Sequence, residues 1–194
     1  MFKKIQLAFG LLVLGCVSSL QGLEILPEAK AAYFYPTHHR FRDIHSGGGL
    51  YSIEASMQTW DQLYSWASVG YFQESGSSIG EKRKTKIQMV PLTLGLKYIL
   101  PTKCLSPYLG AGLLVSYVDI RNHSPYVRKK DSKWGVGGIC KLGCLADISQ
   151  SFFIDVFCDY SYLKVTFGDH HQKVLRHKTD LSGLSFGGGL GYRF

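Results

Sequence analysis

The chain ends with the stretch 184-LSFGGGLGYRF-194, in which every second residue is apolar, aromatic or glycine and the residues between are small or polar. A period of two predicts a β-strand with two unlike faces. Chain ends are usually frayed and polar, whereas Phe194 is aromatic and in phase with the apolar face. The sequence therefore predicts that the last residue is held in a sheet.

Similar stretches recur along the chain, and most are long enough to cross a membrane as a tilted strand of about 9–11 residues. With the last one included they number eight: 29–36, 50–58, 63–72, 86–99, 107–120, 133–148, 152–165 and 180–194. Long polar connections (37–49, 73–85, 121–132 and 166–179) alternate with short ones (59–62, 100–106 and 149–151). This alternation predicts an all-β, eight-stranded antiparallel transmembrane β-barrel with long extracellular loops, short periplasmic turns and both termini in the periplasm.

The first 22 residues have the features of a cleaved secretory signal peptide. A basic start, MFKK, precedes an apolar stretch from Ile5 to about Val17, and small residues follow near Gly22. A lipoprotein signal ending at Cys16 is a weaker alternative, because Leu14 fits that pattern poorly. We therefore expect a signal peptide over 1–22 and one barrel domain over 23–194.

The apolar faces of these strands are predicted to point outward into lipid. In the seventh stretch, Phe152, Ile154 and Val156 share one face, while Asp155 and Asp159 share the other. The faces opposite the apolar ones are rich in glycine, which relieves crowding in a narrow barrel and would be a poor choice for a wall facing water. The third stretch, LYSWASVGYF, has apolar residues on both faces and stays ambiguous.

With these features the chain resembles the small eight-stranded outer-membrane proteins of Gram-negative bacteria, the OmpW- and OmpX-like barrels often labelled porin family. The resemblance implies that Leu190, Tyr192 and Phe194 form the signal read by the outer-membrane barrel assembly machinery. The partners we expect are therefore that machinery, periplasmic chaperones, outer-membrane lipid and lipopolysaccharide. The location expected is the bacterial outer membrane.

Charged residues on the inward faces are the first candidate site. They are Lys30, Glu54, Lys97, Lys141, Asp155, Asp159 and Arg193. A short turn at 149–151 places Lys141 opposite Asp159, both pointing inward. Charges in a narrow interior must pair, so these residues form either an ion-pair network that fills the barrel or the lining of a narrow channel.

Basic residues at the loop end are the second candidate site. The four long connections and the charges at their rims hold 15 Lys/Arg and 6 Asp/Glu, and they also hold all seven His. Two clusters stand out: Lys82, Arg83 and Lys84, and then Arg128, Lys129 and Lys130. They predict contact with anions such as lipopolysaccharide phosphates or host polyanions. Nucleic acid is not expected as a partner outside the cell.

Other candidate chemistry is weaker. Asp169, His170, His171 and His177 could ligate a metal, and Asp169 with His170 could imitate an enzyme at the barrel rim. Ser185 stands in a G-x-S-x-G match, but that motif needs a strand–turn–helix elbow and a strand follows here. Cys140, Cys144 and Cys158 are expected to be small apolar residues on the outer face, although Cys144 and Cys158 could meet across neighbouring strands.

Three functions are therefore open. The first is a narrow channel or passive permeability element with a charged lumen. The second is a closed barrel that displays basic loops for adhesion or for binding polyanions, and the third, less favoured, is an enzyme at the rim. We expect no enzymatic activity and no cofactor.

Overall fold

The computed structural model describes residues 24–38, 47–77, 84–102, 105–122, 130–167 and 177–194. They form nine strand segments: β1 (Ile25–Pro36), β2 (Gly48–Trp60), β3 (Leu63–Ser77), β4 (Lys84–Ile99), β5 (Leu105–Asn122), β6 (Lys130–Asp147), β7 (Phe152–Phe167), β8 (His177–Asp180) and β9 (Gly183–Tyr192). Within these ranges no helix has the length and apolar character needed to cross a membrane. The predicted signal peptide, 1–22, lies outside the described residues.

The strands close into an antiparallel barrel. Each strand from β1 to β7 pairs with its neighbour in sequence, and β9 pairs with both β1 and β7. β8 and β9 pair with β7 in one continuous register, from Lys164–Asp180 to Ser161–Gly183 and onward to Phe152–Tyr192. They therefore count as one strand, and the predicted eight-stranded antiparallel barrel is confirmed.

The last strand is interrupted at Leu181 and Ser182, where the sequence predicts one unbroken strand. The Leu181 backbone amide still donates to the Leu163 carbonyl (2.8 Å), but the Leu163 amide donates to the Ser182 hydroxyl (3.2 Å). A side-chain oxygen thus replaces a backbone acceptor at this position. The pairing register is the same on both sides of the break.

The two faces of the wall follow the predicted alternation. Large apolar side chains on the outer face are exposed, as Val136, Leu142 and Val156 show, while the side chains between them are buried in the lumen. The ambiguous third stretch is resolved, because Trp66 and Phe72 of β3 are buried inside the barrel. Both aromatic rings fill space left by glycines, because a side chain at Gly112 would meet the Trp66 ring and one at Gly48 would meet the Phe72 ring.

The barrel has two distinct ends. At the turn end, β2 and β3 are joined by Asp61 and Gln62, and Asp61 takes the left-handed conformation (φ 44°) that aspartate tolerates in tight turns. At the loop end, β3 extends to Ser77 and β4 begins at Lys84, so the connection between these strands is shorter than the predicted 73–85. The connecting residues at the loop end lie mostly outside the described ranges.

The chain terminus is held in the barrel wall, as the opening stretch predicts. The Phe194 amide donates to the Ile25 carbonyl (3.1 Å), and the Arg193 amide donates to the Ser151 carbonyl (2.7 Å). The ring of Phe194 lies 4.6 Å from that of Tyr192, centroid to centroid. Closure between the first and last strands therefore continues to the last residue.

Candidate functional site

Seven charged side chains converge in the middle of the lumen and form what we call the lumen charge cluster. They come from five strands, β1, β2, β4, β6 and β7, and each is brought inward by the period of two along its strand. None is more than 7% exposed. The members are Glu28, Lys30, Glu54, Lys97, Lys141, Asp155 and Asp159.

Two lysines connect the carboxylates of β1, β2 and β7. The Lys30 ammonium lies 2.8 Å from Asp155, 3.2 Å from Glu28 and 3.4 Å from Glu54. The Lys97 ammonium lies 3.1 Å from Glu28 and 3.2 Å from Glu54. Each buried positive charge thus has at least two negative neighbours, which is the arrangement needed to offset desolvation of several kcal/mol per ion.

The third lysine, Lys141 of β6, extends the network to Asp159. Lys141 donates to Glu54 and lies 3.4 Å from Asp159. Its ammonium also lies 4.3 Å from the centroid of the Trp66 ring, a cation–π contact. Lys141 and Asp159 are paired across β6 and β7, as the three-residue turn predicts.

The cluster differs from the predicted set at two positions. Glu28 belongs to it and shares the face of Lys30, although the alternation in the sequence predicts a first strand that begins only at Ala29. Arg193 does not join the cluster. It lies at the turn end, 35% exposed, where it contacts Glu24 (3.0 Å) and Asp147 (3.1 Å).

An apolar layer lies on each side of the lumen charge cluster. The turn-end layer includes Leu26, Ile99, Leu145 and Phe153. Tyr108 also belongs to this layer and donates from its hydroxyl to Asp155 (2.9 Å). The loop-end layer includes Phe34, Phe72, Met89, Leu114 and Leu163. Along the described strands, side chains therefore fill much of the lumen, as expected for a barrel of eight strands.

A cavity of about 70 Å³ lies within the lumen. It lies between the lumen charge cluster and the loop-end layer, with Asp159 on one side and Phe34, Phe72 and Leu114 on the other. Serine hydroxyls, among them that of Ser116, complete its lining. The cavity is thus polar where it meets the charges and apolar toward the loop end.

The loop-end basic residues can be placed only in part. Lys84 and Lys130 begin β4 and β6, which flank β5 at the loop end. Lys82, Arg83, Arg128 and Lys129 lie outside the described residues. Lys84 and Lys130 are therefore two strands apart, which is about 10 Å at a spacing of about 4.8 Å per strand.

A negative charge is also fixed near the loop end. Asp180, the last residue of β8, accepts hydrogen bonds from the Ser182 amide (2.9 Å) and hydroxyl.

Ser185 and the cysteines have the surroundings that the sequence predicts. Ser185 is buried on the lumen face, and β9 continues past it as a strand, so no nucleophile elbow forms. Cys140 and Cys158 are exposed on the outer face, and these two and Cys144 are free thiols. Cys104 and the candidate ligands Asp169, His170 and His171 lie outside the described residues, as does the side chain of His177.

Sequence comparison finds no relatives: no protein-family model and no curated protein matches this chain. The fold, in contrast, matches solved structures. The outer membrane protein OprG from Pseudomonas aeruginosa aligns with a TM-score of 0.65 and 16% identity over 88% of this chain and 95% of that one. The E. coli outer membrane protein W aligns at 0.56, with 16% identity over 88% and 97%.

A third match is Ail, the attachment invasion locus protein of Yersinia pestis, solved with the heparin analogue sucrose octasulfate. It aligns with a TM-score of 0.55 and 12% identity over 90% of this chain and 100% of that one. At these identities the likeness concerns the fold. All three proteins are bacterial outer-membrane β-barrels. The chain has the closed eight-stranded fold of the bacterial outer-membrane β-barrels.

Proposed function

We propose that this protein is an integral outer-membrane β-barrel with a closed lumen that acts through its basic loop end by binding polyanions. The observation that carries the proposal is the filling of the lumen. The seven buried charges neutralise one another almost completely, and apolar layers lie on both sides of them. Charges held in this way are poorly suited to conducting ions, because moving any one of them leaves a buried partner unpaired.

The loop end is then the surface left for function. Its basic residues outnumber its acidic ones by 15 to 6, and Lys84 and Lys130, one residue of each basic cluster, begin the strands on either side of β5. A concentrated positive field attracts polyanions and raises their rate of association. Lipopolysaccharide phosphates and sulfated host polysaccharides are the two candidate ligands, and the sulfated ligand solved with the Yersinia barrel makes sulfated sugars the first class to test.

The test is heparin binding by the refolded protein in detergent micelles. Neutralising Lys82, Arg83, Lys84, Arg128, Lys129 and Lys130 to glutamine should weaken binding about tenfold or more and flatten its dependence on salt. The matched control converts the four lysines of these clusters to arginine, which keeps the charge and should keep the affinity. Heat-dependent gel mobility verifies that each variant folds. Equal binding by the neutralised variant would overturn the proposal.

A narrow channel is the second candidate function, favoured by the cavity of about 70 Å³ that leaves part of the lumen unfilled. Current across a planar bilayer tests it directly. Stepwise conductance that changes in an Asp159→Ala variant would favour the channel over the closed barrel. A folded protein without conductance would exclude the channel.

We further propose that Leu190, Tyr192 and Phe194 guide assembly through periplasmic chaperones and the barrel assembly machinery. Leu190 and Phe194 are 54% and 72% exposed on the outer face, so neither is needed to fill the lumen. Phe194→Ala should therefore refold normally in detergent yet accumulate less in the outer membrane of cells. Normal accumulation in cells would contradict the assembly role.

A further inference from the structure

The lumen cavity is lined by buried polar groups that have no part in polyanion binding at the loop end. Asp159 borders it, is only 7% exposed, and has one carboxylate oxygen, Oδ1, without a hydrogen-bond partner. Ser116 also borders it, is 1% exposed, and has an unpartnered hydroxyl. Buried polar groups are rarely left unsatisfied, so two of them beside one cavity indicate that something polar occupies it.

The charges beside the cavity indicate the sign of that occupant. The lumen charge cluster contains four carboxylates and three ammonium groups, so with every group ionised it carries one excess negative charge. Asp159 has the weakest positive support within it, because its Oδ2 lies 3.4 Å from Lys141 and Oδ1 faces no donor. An uncompensated buried charge is strongly destabilising.

The size and chemistry of the lining narrow the choice further. A cavity of about 70 Å³ accommodates several water-sized groups at about 10–15 Å³ each. The polar lining consists of one carboxylate and several hydroxyls, which are hard oxygen ligands. Among the described residues, no three His, Cys, Asp or Glu side chains converge to hold a metal ion. One carboxylate suits a single positive charge, whereas Ca²⁺ requires several.

We infer that the lumen cavity binds one small monovalent cation, with its remaining water, between Asp159 and the Ser116 hydroxyl. The cation supplies the missing positive charge and satisfies both unpartnered oxygens. Bound inside the barrel, it stabilises the folded state by linkage, since the site is assembled from β5 and β7 only when the barrel closes. This site is independent of the basic loops.

The experiment measures thermal unfolding of the refolded protein in detergent. Choline chloride, whose quaternary ammonium is far larger than Na⁺ or K⁺, is replaced stepwise by NaCl or KCl at constant ionic strength and pH. The unfolding temperature of the unmodified protein should rise by a few degrees and saturate with ion concentration. The two salts separate Na⁺ from K⁺ as the preferred ion.

Three variants identify the site. Asp159→Asn makes the lumen charge cluster neutral and should abolish the response to Na⁺ and K⁺. Ser116→Ala removes an oxygen ligand but no charge, so saturation should require more ion. Ser56→Ala is the matched control, because Ser56 is also fully buried with an unpartnered hydroxyl but does not line the cavity. Its ion response should equal that of the unmodified protein.

Two outcomes would overturn the inference. The first is an unfolding temperature that is the same in choline, Na⁺ and K⁺, which would leave a proton or water as the occupant. The second is an ion response that survives in Asp159→Asn, which would place the cation elsewhere. Crystals soaked in Rb⁺ provide an independent check, since anomalous density beside Asp159 is expected and its absence there would contradict the site.

Discussion

The inner and outer faces of the same strands follow opposite rules. On β4, Leu94 points outward with 58% of its surface exposed, while Lys97, three residues later, points inward and is fully buried. A soluble protein would reverse the two, because water solvates ammonium groups and excludes leucine. The arrangement is stable only if the surroundings of the outer face are apolar and the inner polar groups satisfy one another.

The two faces also differ in the space they offer. The outer face carries large side chains such as Leu92, Leu94 and Leu96 in sequence along one strand. The inner face alternates large aromatic rings with glycines, so Tyr108 lies where Gly143 has no side chain. Charge and volume are therefore both constrained inside the barrel, whereas only polarity is constrained outside. Substitutions that move charge or volume between the faces test this difference.

The largest effect is expected from removing a buried charge from the inner face. Lys97→Met leaves Glu28 without one of its two ammonium partners and Glu54 without one of its three. Removing one partner from a buried ion pair costs about 3–5 kcal/mol. The free energy of unfolding, measured by urea denaturation in lipid vesicles, should fall by that amount.

Two variants test the origin of this loss. Lys164→Met removes an exposed ammonium that lies over the Tyr162 ring (4.9 Å) and should leave the free energy of unfolding nearly unchanged. The double variant Lys97→Met/Glu28→Gln removes opposite charges together and should be less destabilised than Lys97→Met alone. A double variant that loses more than the single one would show that the ion pairs do not act as one network.

The reverse change, a charge placed on the outer face, is expected to cost somewhat less. Leu94→Arg in the middle of β4 should lower the free energy of unfolding in lipid vesicles by about 2–4 kcal/mol, the cost of a basic side chain at the centre of a bilayer. Leu94→Met preserves the apolar surface and serves as the control. If Leu94→Arg and Leu94→Met were equally stable, the outer face could not be buried in lipid.

Adjacent glycines test the difference in volume. An added methyl group at Gly137, on the inner face, would lie 1.9 Å from the Tyr162 carbonyl oxygen, whereas at Gly138, on the outer face, it would meet nothing closer than 3.7 Å. Gly137→Ala should therefore destabilise the barrel by about 1–3 kcal/mol. Gly138→Ala should be neutral or stabilising by up to about 1 kcal/mol. Urea denaturation of the two variants measures the difference in their free energies of unfolding. Equal free energies would show that the inner face is no more crowded at Gly137 than the outer face is at Gly138.

Much of this fold could be predicted from the sequence because alternation is a local property. The faces of β2, β4, β6 and β7 follow from a period of two, and the short turn after β6 is enough to pair Lys141 with Asp159. The strand count then follows from the number of alternating stretches. A membrane barrel must also close, which explains why the last residue pairs with the first strand.

What could not be predicted depends on contacts between distant strands. The sequence does not predict Glu28 as a lumen residue because β1 begins four residues earlier than the alternation suggests. These four residues pair with β2, and a contact with another strand cannot be seen in the local sequence. β3 was ambiguous because Trp66 and Phe72 are as apolar as the outer residues, and only closure of the barrel decides which side they fill. Arg193 has the inward phase of a lumen residue, but its height along the barrel depends on the register between β7 and β9.

The smallest change in the free energy of unfolding is expected from Arg193. It lies at the turn end, where side chains on the inner face are also exposed to water. Its contacts with Glu24 and Asp147 are ion pairs of the same kind as those of Lys97, but its side chain is 35% exposed. Water and salt therefore screen the pairs.

Arg193→Gln should lower the free energy of unfolding by less than about 1 kcal/mol. This loss should disappear in about 1 M salt, where the Debye length is about 3 Å. Urea denaturation at low and high salt separates the two kinds of pair, because the loss caused by Lys97→Met should persist at high salt. A loss for Arg193→Gln that is as large as that for Lys97→Met, and equally insensitive to salt, would mean that the rim is as dry as the lumen.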